Sequence, residues 1–169
     1  GRNLTNITNS SENDWTPKFS PTTDKIVYST YFPSNDNYDV FIMNSDGSGK
    51  KNITNSPWYE KYPQFSPDGS FIIYQAWQRG KMEIFFSSIL DENNINLTRN
   101  TQSHDIMSQG NAISSDGQKI VFTSERDGNR NIYLMNTDGT DQTQLTFHAA
   151  HDSEPIFSPD GMTIVFTSE

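Results

Sequence analysis

The chain has 169 residues, of which 32% are hydrophobic and 12% aromatic, and its formal net charge is −9. This length allows one domain with a sizeable core, and the aromatic content argues against disorder because disordered segments contain few aromatic residues. The lack of cysteine excludes disulfides and thiolate chemistry. No apolar stretch approaches the ~18 residues of a membrane span. No basic cluster exceeds the Lys50-Lys51 pair, so neither membrane insertion nor a nucleic-acid partner is expected.

A repeat of 44 to 48 residues, measured between equivalent positions at Phe19, Phe65, Ile113 and Phe157, organises the chain. It opens with an Asn-Ile-Thr-Asn-Ser element at 6–10 and 52–56, with shorter versions at 96–98 and 144–146. A Pro-x-Phe-Ser element follows at 17–20, 63–66 and 155–158, with a degenerate copy at 111–114. Eight residues after each serine, an aromatic residue ends an apolar triplet, at 26–28, 72–74, 120–122 and 164–166. A third apolar run occupies 40–43, 84–86 and 132–135.

Each full repeat therefore predicts four short β-strands. The Asp-Gly pairs between them suit tight turns because glycine accepts a positive φ; they stand at 46–47, 68–69, 116–117, 127–128, 138–139 and 160–161. The second and third strands are continuously apolar, which indicates a sheet buried on both faces. Sheets stacked face to face around an axis satisfy this requirement. The sequence thus predicts an all-β fold, a β-propeller of four-stranded antiparallel blades.

The stretches Ser66-Pro67-Asp68-Gly69 and Ser158-Pro159-Asp160-Gly161, each followed by an apolar triplet, resemble the repeat of TolB-like β-propellers. The resemblance implies strands ordered outward from the axis and relatives of about six or seven blades. With this strand order, the whole chain (1–169) is predicted to be a single propeller segment that is incomplete relative to those relatives. It has an outer strand at about 1–10, blades at about 11–56, 57–99 and 100–147, and a partial blade at 148–169. Two alternatives stay open: a piece of a longer propeller, or a small ring closed within the chain or by self-association.

Acidic residues recur in the loops that lead from one outer strand to the next inner strand. A carboxylate precedes the proline by three residues at Asp14, Glu60 and Asp152, and Glu154 lies in the last of these loops. If the loops converge at a funnel mouth, the acids could bind a hard cation such as calcium. They could equally be solvated acids that only set the charge, since no dedicated calcium-loop motif is present. No cofactor is therefore predicted beyond this calcium hypothesis.

The same loops carry the candidate partner-binding residues, which are Trp15, Trp58, Tyr59, Tyr62, His104, Asp105 and His151. Aromatic residues beside acids are typical of interaction hot spots, although packing between blades explains them as well. The histidines could hold a transition metal or could hydrogen-bond to the adjacent aspartates. The third loop is longer than the others, and its extra residues Thr101–Gln109 are predicted to overhang the funnel.

The favoured hypothesis is a non-catalytic scaffold that binds a protein or peptide partner at the funnel mouth. The resemblance implies a periplasmic or cell-surface location and partners in the envelope, although the chain begins without a signal-peptide pattern. The alternative is the propeller domain of an enzyme. It would be either a metal-dependent lyase that uses the histidines or the gating domain of a serine peptidase. The Gly-x-Ser-x-Gly pattern of a serine hydrolase is absent from the sequence.

Overall fold

The computed structural model describes residues 4–91, 93–99 and 103–169, which form three four-stranded antiparallel sheets and one two-stranded sheet. Blade 1 contains β1 (Asn13–Phe19), β2 (Lys25–Phe32), β3 (Asn37–Asn44) and β4 (Lys51–Asn52). Blade 2 contains β5 (Tyr59–Phe65), β6 (Phe71–Gln78), β7 (Lys81–Ser88) and β8 (Asn94–Asn96). Blade 3 contains β9 (Asp105–Ile106), β10 (Lys119–Ser124), β11 (Asn131–Asn136) and β12 (Thr143–Gln144). The partial blade 4 contains β13 (Asp152–Phe157) and β14 (Ile164–Ser168).

The hydrophobic core lies between blades, as the continuously apolar strands predict. Val27 and Val40 of blade 1 pack with Ile72 and Tyr74 of blade 2. Successive residues of a strand point to opposite faces, so Ile73 of blade 2 packs instead against blade 3. Burial on both faces of the second and third strands confirms the stacked-blade propeller. None of the described residues forms a helix long and apolar enough to cross a membrane.

The recurring Asn-x-Thr element, which is Gln144-Leu145-Thr146 in blade 3, has a structural role in every full blade. Its threonine hydroxyl accepts a hydrogen bond from the first buried apolar residue of the third strand, so it satisfies an N–H that the short outer strand does not reach. The pairs are Val40 N–H to Thr54 Oγ1 at 3.0 Å, Ile84 N–H to Thr98 Oγ1 at 2.9 Å and Ile132 N–H to Thr146 Oγ1 at 3.0 Å. The element therefore joins the third strand to the chain that leaves the blade.

The start of the chain differs from the expected outer strand at 1–10. Residues 4–12 form no strand, and residues 1–3 lie outside the described residues. The segment still occupies the place of an outer strand, because the Ile7 carbonyl lies over Gly47 just as the Leu97 carbonyl lies over Gly139. A strand needs a hydrogen-bonded neighbour, and no described residue supplies a third strand beside it.

Candidate functional site at the mouth of the propeller

One end of the propeller, called the mouth here, is formed where the inner strands β1, β5, β9 and β13 begin. Antiparallel pairing brings the hairpins β2–β3, β6–β7 and β10–β11 to the same end. The opposite end carries the turns between the first and second strands, where Thr22 Oγ1 donates to the Asp68 carbonyl of the next blade at 2.7 Å. Side chains predicted to bind a partner or a cation therefore belong to the mouth.

The recurring acids lie on the inner strands rather than in the loops before them. Asp14, Glu60, Asp105 and Asp152 occupy one repeat position, since they pair with Thr30, Ala76, Ser124 and Ser168 of the adjacent second strands. Asp14 is partly exposed and accepts a 2.7 Å hydrogen bond from Thr30 Oγ1. The other three acids are at most 3% exposed, so they are buried between blades. In the described parts of the chain, no three or more acidic or histidine side chains are grouped to hold a metal.

The buried acids differ in their partners. Asp105 Oδ1 lies 2.9 Å from Arg126 Nη2, and the same guanidinium donates to Gln142 and Ser124. Asp152 lies 3.2 Å from His148 Nε2, a side chain that is half exposed. Charged groups buried from water are costly unless they are paired. The ion pair of Asp105 therefore lies within blade 3, and that of Asp152 lies between β13 and the segment that leads into it.

Glu60 adjoins a second buried acid, Asp39, which lies on the third strand of blade 1. Burial, with a contribution from the charge of Asp39, raises the pKa of Glu60 to about 7. Burial also raises the pKa of Asp39 above its ordinary value. Sequence reasoning missed Asp39; the available signal was the polar residue directly before each third apolar run, at Asp39, Glu83 and Asn131.

Aromatic side chains of blades 1 and 2 meet at the mouth. A cavity of about 210 Å³ is lined by Trp15, Tyr38, Lys61 and Tyr62, among others, and Trp15 is 54% exposed. The Lys61 ammonium lies 3.5 Å from the centre of the Tyr38 ring, which is a cation–π arrangement. Partial burial lowers the pKa of Lys61.

The neighbouring candidates belong to the same surface. Tyr59 donates its hydroxyl to Asp36 at 2.9 Å, and Tyr31 donates to the same carboxylate at 3.0 Å. Trp58 is half-buried in the preceding loop, where its backbone N–H donates to Ser56 Oγ at 3.1 Å. Tyr59 and Trp58 therefore extend the aromatic surface from the cavity to the edge of the mouth, called the rim here.

The histidines have separate surroundings. His104 accepts a hydrogen bond from the Met82 N–H at 3.2 Å through Nδ1, and its ring stacks on Trp77 with centroids 5.2 Å apart. His151 exchanges two backbone hydrogen bonds of 3.0 Å with Glu169, while its side chain is exposed. His104 therefore joins blade 2 to blade 3, and His151 extends the pairing of β13 with β14.

The long third loop runs along the axis. Met107 and Ser108 are buried, and their carbonyls accept hydrogen bonds of 2.6 Å from Gln75 and Gln64 of blade 2. Lys18 of blade 1 reaches the Gln109 carbonyl at 3.2 Å. The prediction that this loop overhangs the funnel was wrong for Met107 and Ser108, because two glutamine amides hold them inside; Thr101 lies outside the described residues.

Three inner strands carry a β-bulge at the residue before proline. Thr16, Tyr62 and Glu154 have φ values of 51°, 57° and 55°, which are unusual for non-glycine residues and recur at equivalent positions. Tyr62 and Glu154 both line a second cavity, of about 390 Å³, together with Arg130. The bulge brings residues of blades 2 and 4 to one cavity near the axis, and the x-Pro pairs were the signal for it.

These sheets, their inter-blade core and their mouth define a β-propeller. The family described as the TolB beta propeller domain matches residues 33–169, and the chain belongs to this family. Over 78 residues it is 31% identical to the Tol-Pal system protein TolB of Helicobacter pylori, which covers 44% of this chain and 19% of that protein.

Two solved structures share the fold. TolB from Acinetobacter baumannii is 23% identical with a TM-score of 0.71, and the match covers 95% of this chain and 39% of that chain. An oligogalacturonate lyase in complex with manganese is 20% identical with a TM-score of 0.67, covering 92% of this chain and 45% of that chain. The chain thus spans less than half the length of each of these proteins.

Proposed function

We propose that the chain is a binding scaffold whose mouth recognises a peptide segment of a protein partner. The observation that carries this proposal is the exposed Trp15 beside the cavity that Tyr38 and Lys61 also line. A large aromatic side chain that is half exposed on a rigid strand loses little conformational entropy on binding. Such residues dominate the energy of protein interfaces.

The position of this surface also supports peptide binding. The cavity of about 210 Å³ is too small for a folded domain but accommodates a side chain of an extended segment. Hydroxyls of Thr16 and Ser29 and the ammonium of Lys61 provide polar contacts around the aromatic walls. An apolar wall with a few polar groups gives both affinity and orientation.

Replacement of Trp15 by alanine is expected to weaken peptide binding about 10-fold to 100-fold, the loss typical of a central interface aromatic. Peptides would be selected from a displayed random library against the wild-type chain, and their dissociation constants measured by fluorescence anisotropy. The Trp58→Ala and Tyr59→Ala variants would test the rim in the same assay.

Phe147→Ala is the matched control, because Phe147 is 77% exposed and follows the outer strand of blade 3. Its affinity should equal that of the wild type. Selected peptides whose affinity survives all three mouth substitutions but falls with Phe147→Ala would place recognition on the outer surface and refute the proposal.

An enzymatic role is the second candidate, and the manganese-bound lyase among the similar structures is the observation that favours it. In that case His104 and His151 would be needed for a tightly held transition metal. His104 is instead occupied with Met82 and Trp77 in this chain. Metal analysis after dialysis against manganese distinguishes the candidates: a retained metal that is lost in His104→Ala or His151→Ala would favour the lyase.

Membership of the TolB family supports a periplasmic location and partners among envelope proteins. We also propose that the chain associates with itself to close the ring of blades. Solution mass measured together with intact-chain mass tests it, since a mass above that of one chain is expected for an assembled ring.

A further inference from the structure

The two cavities at the mouth form one groove. Tyr62 lines both the cavity beside Trp15 and the second cavity, of about 390 Å³. A narrow space between them is lined by Thr16, Tyr62 and Gln109. Thr16 also belongs to the wall of the first cavity, and Gln109 to the wall of the second. A segment bound beside Trp15 can therefore continue into the second cavity.

The β-bulges supply side chains to this groove. The bulge residues Thr16, Tyr62 and Glu154 all line it, and they come from blades 1, 2 and 4. Blade 3 has Gly110 at the equivalent position, where an added Cβ would lie 2.7 Å from Ile156 Cγ2. Backbone strain at non-glycine residues persists only where the surrounding structure holds it, and it is common at binding sites. The strained positions are therefore the ones that line the groove.

The charged residues of the second cavity differ in their partners. Arg130 donates through Nε to Glu125 at 2.8 Å, so a neighbouring acid balances its charge. Glu154 is exposed and lines the cavity, and its side chain forms no hydrogen bond or ion pair with any described residue. The unbalanced charge of the cavity is therefore negative. An anion would be repelled by Glu154, whereas a cation would find a counter-ion there.

Apolar side chains complete the second cavity. Tyr62, Met82 and Ile106 line it and are each half-buried. Lysine and arginine combine a long aliphatic stem with a charged end, and they bury the stem on apolar surface while the charged end meets a polar group. A cavity of about 390 Å³ has room for one such side chain. The apolar walls and the carboxylate of Glu154 therefore fit a basic side chain better than an inorganic cation.

We propose that the second cavity receives a lysine or arginine side chain of the bound segment, with Glu154 as its counter-ion. This inference rests on the proposed peptide binding and names a residue type that the segment must carry. Lys61 lines the first cavity and Lys18 the narrow space, so positive charge lies toward blade 1 and negative charge toward blade 4. Repulsion by these lysines fixes the end of the groove at which the basic side chain binds.

A small probe tests the cavity without a peptide. Nα-acetyl-lysine amide, titrated to millimolar concentration, is expected to shift the ¹³C-methyl NMR resonance of Met82, which lines the cavity. The methyl resonance of Met43, which is buried in blade 1, should not move. Nα-acetyl-norleucine amide keeps the aliphatic stem without the charge and should bind about 10-fold more weakly. The Glu154→Gln variant should show the same loss with the lysine probe.

Peptides selected against the wild-type chain and acetylated at the amino terminus test the same group in a longer ligand. Replacing their basic residue by norleucine is expected to weaken binding about 10-fold, and Glu154→Gln should cause the same loss. Both changes together should cost no more than either alone. Glu154→Lys should restore the binding of a peptide whose basic residue is replaced by glutamate. Glu12→Gln is the matched control, because Glu12 directly precedes β1 and lines neither cavity.

The outcomes separate this inference from the proposed function. Peptide binding that depends on Trp15 but is unchanged in Glu154→Gln would overturn the inference and leave the proposed function intact. Equal losses for Glu154→Gln and Glu12→Gln would also overturn it, because only the overall charge would then matter. A lysine probe that binds through Glu154 when no peptide can be selected would support the cation cavity and refute the proposed peptide binding.

Discussion

Replacement of Arg126 by alanine should lower the free energy of unfolding by about 3–5 kcal/mol, the usual cost of removing one partner of a buried ion pair. Asp105 is fully buried and would lose its only described cation. The guanidinium also lies 4.6 Å from the centroid of the Tyr133 ring and donates hydrogen bonds to Ser124 and Gln142. Urea denaturation followed by tryptophan fluorescence measures the change.

Arg130→Ala is the control for this result. Arg130 forms a 2.8 Å ion pair with Glu125, but its side chain is 52% exposed, so its loss should cost less than about 1 kcal/mol. Adding Asp105→Asn to Arg126→Ala should recover part of the stability, because the uncompensated charge is removed. Equal losses for Arg126→Ala and Arg130→Ala would show that burial of Asp105 does not decide the cost.

Replacement of Gly139 by alanine is expected to destabilise the chain by about 3 kcal/mol. Part of this cost is the positive φ of 86°, a conformation that is strained for a residue with a Cβ atom. The larger part is a collision between blades, because an added Cβ would lie 2.8 Å from the Leu97 carbonyl oxygen of blade 2. The thermal midpoint should fall by about 6–12 °C, measured by circular dichroism.

Gly128→Ala separates the two contributions. Gly128 has a nearly identical φ of 84° in an Asp-Gly turn, yet an added Cβ would meet nothing within 4 Å. Its substitution should cost only about 1 kcal/mol, which is the backbone strain alone. If both substitutions cost the same, the contact of the turn with the preceding blade contributes nothing to stability.

The local features of the fold could be predicted from the sequence. The Asp-Gly pairs, the apolar triplets and their common spacing predicted four strands per blade and stacked sheets, and the structure confirmed both. These features are local: turn chemistry and strand burial depend on residues within one repeat. The residues 4–10 were the exception, since a strand exists only when another strand pairs with it.

The candidate site was less accessible to sequence reasoning. The acids at Asp14, Glu60 and Asp152 were recognised as repeat-equivalent, but they were placed in the loops before the inner strands, either as cation ligands or as solvated acids. Glu60 and Asp152 are buried where the preceding blade packs against their strands, and a sequence pattern does not show this tertiary contact. Trp15 and Tyr62 were identified from the same loops, whereas their cavity with Tyr38 and Lys61 required the packing of blade 1 against blade 2.

The sequence by itself determined the blade repeat, its strands and turns, and membership of a propeller family, because each repeat carries its own complete set of local signals. Only the tertiary structure decided which acids are neutralised. Asp39 and Glu60 are 21 positions apart, as the numbering shows, and meet only when blade 2 packs on blade 1. Arg126 reaches Asp105 within blade 3. Electrostatic environment depends on distance and burial in space, and these are properties of the assembled blades.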